Sequence, residues 1–356
     1  MIRRRADDWR YFARAEAATD ALLARALGIE KAAPRILTRP GFDGVVRRLI
    51  GELTHVTGTA DAAAIRTAAK KLDRRWDKMP AAERERVIQA AAEGLRDVPK
   101  VVVPKVAEVL RGELPGIVQA AKAATGTAVD AVVARSLNAQ DQKIVDFAAN
   151  SQGSYITDQY GVRATAYEQQ ARTIVADGLE EGLGREEISE RLTSQLSGAM
   201  LGRASSYWDQ VASIHVARAR SYGQMAAYTE AGIEKYTISA ARDEVTCVIC
   251  RLMNGKTFTV GSSMQSFLDV ESSGDPKAVE DEQPFIKVGR TDEGARFLYA
   301  ESYGTTHMLA HVISDATGER NDDGRYGKVA PPATFETAGC QTPPFHGRCR
   351  CLTTMA

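Results

Sequence analysis

The chain has no cysteine before position 247 and only five among its 356 residues. A secreted disulfide scaffold would spread an even number of thiols through a small domain, so a reducing setting is expected instead. No run of about 18 apolar residues occurs, which argues against a membrane-spanning helix. The opening MIRRRADDWRYFARAEAATD is basic, but acids interrupt it and no apolar stretch follows. Neither a secretory leader nor a transit peptide is expected there. GLEEGLG lacks the following Lys-Ser/Thr of a phosphate loop, and no Ser-His-Asp arrangement can be placed. Lys plus Arg (46) equals Asp plus Glu (46), so total charge argues for neither nucleic acid nor membrane. Aromatics are only 6%; with alanine abundant, the composition favours helices packed through small side chains.

What is present is helical text with an uneven charge. Residues 1–113 carry 23 basic against 16 acidic side chains, and the remainder 23 against 30. A basic N-terminal third suits an acidic partner or DNA, although a solvated bundle produces the same asymmetry. Helical spacing predicts a helix over residues 6–29, a break bracketed by Pro34 and Pro40, and a helix over 41–56. After TGTA a further helix is expected from Asp61 to Trp76, then one from Pro80. Pro99 and Pro104 are expected to separate that helix from KVAEVLRGEL, followed by the alanine-rich GIVQAAKAATGTAVDAVVARSL. Asn138 should open another helix; VRATAYEQQARTIVADGLEEGLG, GREEISERLTSQL and SSYWDQVASIHVARARSYGQMAAYTEAG continue the series, the last ending at Gly232. Beyond it, IEKYTISAA and GKTFTV read as short strands. Residues 261–338 read as a loop-rich insertion with one helix near RFLYAESYGTTHMLAHVISD. The expected fold is mainly α, with helical N-terminal (1–137) and central (138–232) regions and a small α+β zinc-stapled module (233–356).

The thiols gather in two places. CVIC puts Cys247 and Cys250 on one turn, and FHGRCRC puts His346, Cys349 and Cys351 at the C-terminus. Zinc takes four Cys or His ligands in a tetrahedron, usually as two pairs brought together by folding. Cys247, Cys250, His346 and one of Cys349 or Cys351 would satisfy it, as a structural site with no open position. Two other readings stand beside it. A thioredoxin-like redox motif requires CVIC to open a helix inside a βαβ unit, and RLMNGKTF allows only about one helical turn. The other has the thiols disulfide-bonded or inert, as Cys340 is under any reading.

EAGIEKYTISAARDEVTCVICRLMNGKTF together with the terminal PPFHGRCRC resembles the phage Mu F-like head morphogenesis family of minor capsid proteins. The matching positions are Gly232, Ile233, Asp243, Thr246, Cys247, Cys250, Leu252, Gly255, Lys256, Pro344, His346, Cys349, Arg350 and Cys351. The resemblance covers roughly 60% of the chain, from about residue 140 onward. It implies a virion component that is not an enzyme: a minor head protein associated with the portal and with coat or scaffold during head assembly in the bacterial cytoplasm. Contact with packaged double-stranded DNA is a further expectation, and no membrane partner is implied. The connection between the two cysteine motifs is longer than in many members, so no family role transfers to the 261–338 insertion.

Other residues offer weaker chemistry. His307 and His311 in HMLAH would share one helical face, with Glu301 or Asp315 as a third ligand, for a nuclease-like or hydrolytic site. That would make the chain a head-protein module fused to an effector enzyme, a nuclease or transferase. An ordinary surface pair is the simpler reading. Arg218 and Arg220 flank His215's stretch of helix and could contact phosphate, although helix-surface ion pairs explain them as well. His55 reads as a partly buried histidine, and Asp322 and Asp323 as a solvated turn. A zinc-dependent DNA-binding regulator would need a recognition helix beside the metal, and VICRLMNGKTF is too short for one.

Overall fold

The computed structural model describes residues 36–134, 136–240, 243–314 and 324–356. The helix expected over 6–29, the break at Pro34, and Asp315, Asp322 and Asp323 lie outside them. Helix accounts for 63% of the structure, and the small antiparallel sheets are confined to its C-terminal part.

Helix α1 (Arg39–Leu72) starts where Thr38 accepts a hydrogen bond from the Gly41 amide through its hydroxyl, 3.3 Å, with Pro40 in the first turn. One stripe is buried along it: Phe42, Val45, Leu49, Leu53, Thr57, Asp61, Ile65, Ala68 and Leu72. The break expected at TGTA is absent. Thr57 lies on the buried stripe and donates to the Leu53 carbonyl at 2.7 Å, and Asp61 accepts from the Tyr160 hydroxyl at 2.6 Å. Tertiary packing here overrides a weak local preference. His55 falls off that stripe and is exposed, not partly buried as expected.

After a 3-10 turn (Trp76–Lys78) come α2 (Ala81–Arg96) and α3 (Pro99–Ala128). Pro99 opens α3 as a first-turn proline, but Pro104 and Pro115 lie inside it and do not divide it. Each removes a backbone donor, a cost that the buried row Val102, Val106, Leu110, Leu114, Ile117, Val118 and Ala121 outweighs. Helix α4 (Ala139–Asn150) is entered as expected: Asn138 and Asp141 form a reciprocal capping box. Then follow α5 (Gln152–Glu180) and α6 (Arg185–Glu230), the latter one continuous helix where two were expected.

Helix α6 is the axis of the molecule. Gly223 lets it approach α3 closely: a Cβ there would lie 2.7 Å from both the Ala121 Cβ and the Val118 carbonyl oxygen. The fully buried Lys122 joins three helices, meeting Asp141 at 3.0 Å and Glu230 at 2.6 Å. One core, built on Ile65, Leu72, Trp76, Leu95, Tyr167 and Ile188, sits between α1, α2, α5 and the start of α6. A larger one runs from Leu49 and Val102 through Trp208 and Met225 to Tyr236, Phe335 and Cys351, crossing both expected boundaries, 137 and 232.

Helix α6 stops where Gly232 adopts φ +70, with the Ile233 amide donating back to the Tyr228 carbonyl. Strand β1 (Lys235–Ser239) follows, then α7 (Val248–Met253) and β2 (Thr257–Thr259). The last strand, β7 (Leu352–Met355), pairs antiparallel with the other side of β1, giving the order β2-β1-β7.

The insertion is more ordered than its composition suggests. It contains α8 (Val260–Ser273), α9 (Ala278–Glu282) and α10 (Pro332–Thr337). Between them lies a four-stranded antiparallel sheet: β3 (Lys287–Arg290), β4 (Arg296–Ser302), β5 (Thr305–Ser314) and β6 (Arg325–Gly327). The expected helix at RFLYAESYGTTHMLAHVISD is therefore the β4–β5 hairpin. Tyr303 and Gly304, both at positive φ, form its two-residue turn between the paired Ser302 and Thr305, as tight hairpins require.

Candidate metal centre

The two cysteine motifs meet because both are anchored to β1 and α6. Cys247 is the residue that caps α7, so Cys250 lies one turn into the helix beside it. The terminal motif is drawn in from the other side. Pairing of β7 with β1 sets Leu352 opposite Ser239, and the motif runs back along α6. There Gly347 packs on Gln210 so closely that a Cβ would lie 2.7 Å from its amide nitrogen. Arg348 pairs with Asp209 at 2.7 Å, and the Gln224 amide donates to the Thr353 carbonyl at 2.8 Å.

The outcome is a compact cluster. His346 Nε2 lies 3.2 Å from Cys247 Sγ and 3.0 Å from Cys250 Sγ, and Cys250 Sγ lies 3.8 Å from Cys349 Sγ. Ligand atoms of Cys247, Cys250 and His346 all fall within 4.8 Å of one another, as do those of Cys250, Cys349 and Cys351. A tetrahedron with metal–sulfur bonds of about 2.3 Å has sulfur–sulfur edges of about 3.8 Å, matching the Cys250–Cys349 separation. The sulfur–nitrogen edge would be about 3.5 Å, so a bound ion would part His346 from its thiols by a few tenths of an ångström. The cluster can hold a metal ion, and all five sequence candidates are in it. Cys340 is not. It is buried elsewhere, 3.8 Å from the Pro284 carbonyl, and burial pushes its thiol up to about 12.

Charge within the cluster is unevenly divided. A hydrogen bond from Cys250, then the contact with His346, brings the Cys247 thiol down to about 4. Cys250 is pushed up in turn by the bonds it makes to Cys247 and Cys349. Burial raises Cys349 most, yet hydrogen bonds from Cys250 and Cys351 carry it below the ordinary thiol range. Cys351 is lowered by Cys250 but raised further by Cys349 and burial. Crowded thiols in a dry site cannot all ionise together; a dication removes that conflict.

Around the thiols lies a cage of arginines and one acid. Thr246 donates from its hydroxyl to Asp243 Oδ1 and accepts from the Asp243 amide, both at 2.9 Å, shaping the loop just before Cys247. The same Oδ1 accepts from Arg350, the residue between the two terminal cysteines, at 2.9 Å. Arg39, at the start of α1, approaches Oδ2 at 2.6 Å as an ion pair. Burial opposes the Asp243 charge, but Arg350 and Thr246 outweigh it and hold the carboxyl below its usual range. Arg220 is buried, donates to the Cys351 carbonyl, and places its guanidinium 4.2 Å from the Phe42 ring centroid. Sequence spacing had no means to find Arg39, Phe42 and Arg220 here, because their partners lie far away in the chain.

The remaining candidates separate. His307 pairs across the sheet with Ala300, and His311 with Phe297. Ala300 and Phe297 lie on opposite faces of β4, and Leu309 is the extra residue of a bulge in β5, so the two histidines face opposite ways. They share no metal site; His307 instead contacts the Ser302 hydroxyl at 3.1 Å. Glu301, a proposed third ligand, is ion-paired with Lys287. Arg218 and Arg220 do not form the expected surface ion pairs: Arg220 turns inward to the Cys351 carbonyl, and the half-buried Arg218 to the Gln283 carbonyl at 3.4 Å. His215, in the same stretch of helix, is buried.

Comparison of the chain with family models, with curated proteins and with solved structures returned no match. Among the described residues no helix is long and apolar enough to cross a membrane.

Proposed function

We propose that the protein is a minor head protein of a phage or prophage, with a structural zinc ion in its C-terminal module. One observation carries the reading: Asp243, Thr246, Cys247, Cys250, His346, Cys349, Arg350 and Cys351, all positions of the head-protein resemblance, meet in a single cluster. Cys247, Cys250, His346 and Cys349 or Cys351 would hold the metal, while Asp243, Thr246 and Arg350 brace the two segments that supply it. Four protein ligands fill a tetrahedron and leave no place for a substrate, which fits a stapled structural element. A fused nuclease or transferase finds no support in His307 and His311, which point apart. The helices over 39–128 would present the surface for portal, coat or scaffold. The excess positive charge over 1–113 offers a separate contact for packaged DNA.

The test combines particle biochemistry with metal analysis. Tagged protein from cells producing particles should copurify with portal or coat protein, and purified chain should contain one zinc. Cys247→Ser should lose it, and Cys351→Ser should do so only if that thiol is the fourth ligand. Absence from portal and capsid assemblies would overturn the head-protein role. A metal-free, stable native protein would overturn the zinc staple.

A further inference from the structure

A second site lies where the bundle meets the insertion, away from the thiols. A cavity of ≈ 50 Å³ opens between α3, α4, α6 and α8, walled by apolar side chains such as Leu114, Val118, Val145 and Phe267. Space of that size takes about four waters or an aliphatic chain of a few carbons. Among the polar residues that interrupt the lining are His215 and Arg218, one turn apart on α6. His215 is 3% exposed, and its Nε2 is enclosed without a hydrogen-bond partner. Arg218 is anchored by its Nη2 bond to the Gln283 carbonyl and by the Phe285 ring, 5.6 Å from its centroid. Its Nε is also enclosed and unpartnered.

A guanidinium whose Nε is enclosed and unpartnered and an orphaned imidazole are each costly, and a half-buried cation is best satisfied by an anion. The exposed Glu280 acts on Arg218 only through space, and Glu271, which also lines the cavity, is engaged by the Gln140 amide at 3.2 Å. Burial keeps the imidazole neutral at pH 7, pushed down to about 3, so Nε2 can carry a proton to donate. Arg218 remains cationic at neutral pH, pushed down only to about 10.

We propose that this cavity binds a small aliphatic monocarboxylate, its carboxylate held by Arg218 Nε and His215 Nε2 and its chain among Leu114, Val118, Val145 and Phe267. Titration calorimetry of the full, metal-loaded chain with straight-chain acids from acetate to hexanoate tests it. Binding should strengthen with chain length and then collapse once the chain outgrows the cavity. The corresponding primary alcohols should bind at least tenfold more weakly. Arg218→Gln should weaken acid binding at least tenfold. Ala148→Leu, which fills the cavity from α4, should abolish it while leaving zinc content and helicity unchanged. No binding of any acid at 10 mM would overturn the proposal, as would equal binding of acids and alcohols. A crystal structure from acid-soaked protein showing only a water bridging His215 and Arg218 would do the same.

Discussion

The helical bundle and the C-terminal module share one core, yet they are held by different means. In the bundle, stability comes from long rows of ordinary apolar side chains, such as Leu49 and Leu53 on α1 facing α3 and α6. Each contributes on the order of 1.5–3 kcal/mol, so no single one decides the fold. The sheet that carries the module's thiol segments has short strands, β2 of three residues and β7 of four. Beside the apolar side chains that the module adds to the shared core, such as Tyr236, Phe258, Leu298 and Phe335, it buries four thiols, Asp243 and Arg251. Apolar cohesion is additive and tolerates loss; a cluster of ionisable ligands is closer to all-or-none. Perturbing each region in turn should expose that difference.

Metal removal should have the largest effect. Structural zinc sites in small modules are worth about 10–16 kcal/mol in apparent binding energy. Chelation, or Cys250→Ser, should therefore make residues 243–356 sensitive to protease. The helical circular dichroism of the bundle should largely remain, and protease mapping together with the spectrum reads both. Simultaneous loss of bundle and module would show that the shared core makes them one cooperative unit. Leu49→Ala is the counterpart in the bundle. It should cost about 2–5 kcal/mol, read from denaturant midpoints, without altering metal stoichiometry.

How much of this was legible beforehand depended on whether the deciding interaction was local. The Asn138 cap, the Gly232 stop, β1, β2 and the pairing of two cysteine motifs could be read, because each rests on residues close together or on a ligand count. Two misreadings have the opposite cause, and a third, at His307 and His311, overlooked a local signal. Pro104 and TGTA are local breakers that long-range burial overrules. His307 and His311 satisfy helical spacing, but Tyr-Gly between two β-rich runs is a two-residue hairpin signal that outranks it. Arg218 and Arg220 read as surface charges because nothing near them in sequence reveals the carbonyls of Gln283 and Cys351. Their burial is a property of the fold.

A smaller perturbation sharpens the comparison at the axis helix. Gly223→Ala adds one methyl 2.7 Å from the Ala121 Cβ and the Val118 carbonyl oxygen, so α3 and α6 must separate. Overpacking of this kind costs about 1–3 kcal/mol. Stability should fall by that amount in denaturant, with metal affinity unchanged. An unchanged midpoint would mean that the helices part freely and that their crossing is not tight.

The smallest expected effect is a pH dependence seated in the bundle. Burial, followed by the neighbouring Arg218 charge, pushes the His215 imidazole down to about 3, against an unfolded value near 6.5. The neutral ring is therefore favoured by folding, and protons are taken up on unfolding. Its contribution is complete above pH 6.5 and is lost as pH falls from there toward 3. Between pH 6.5 and 5.5 the linkage amounts to about 1 kcal/mol. Metal ligands also take up protons in acid, so the informative quantity is a difference between two chains carrying the same ligands. The stability of His215→Gln, whatever its absolute value, should change less than that of the parent across this interval. Parallel curves would place the acid sensitivity in the thiol cluster and leave the bundle indifferent to pH.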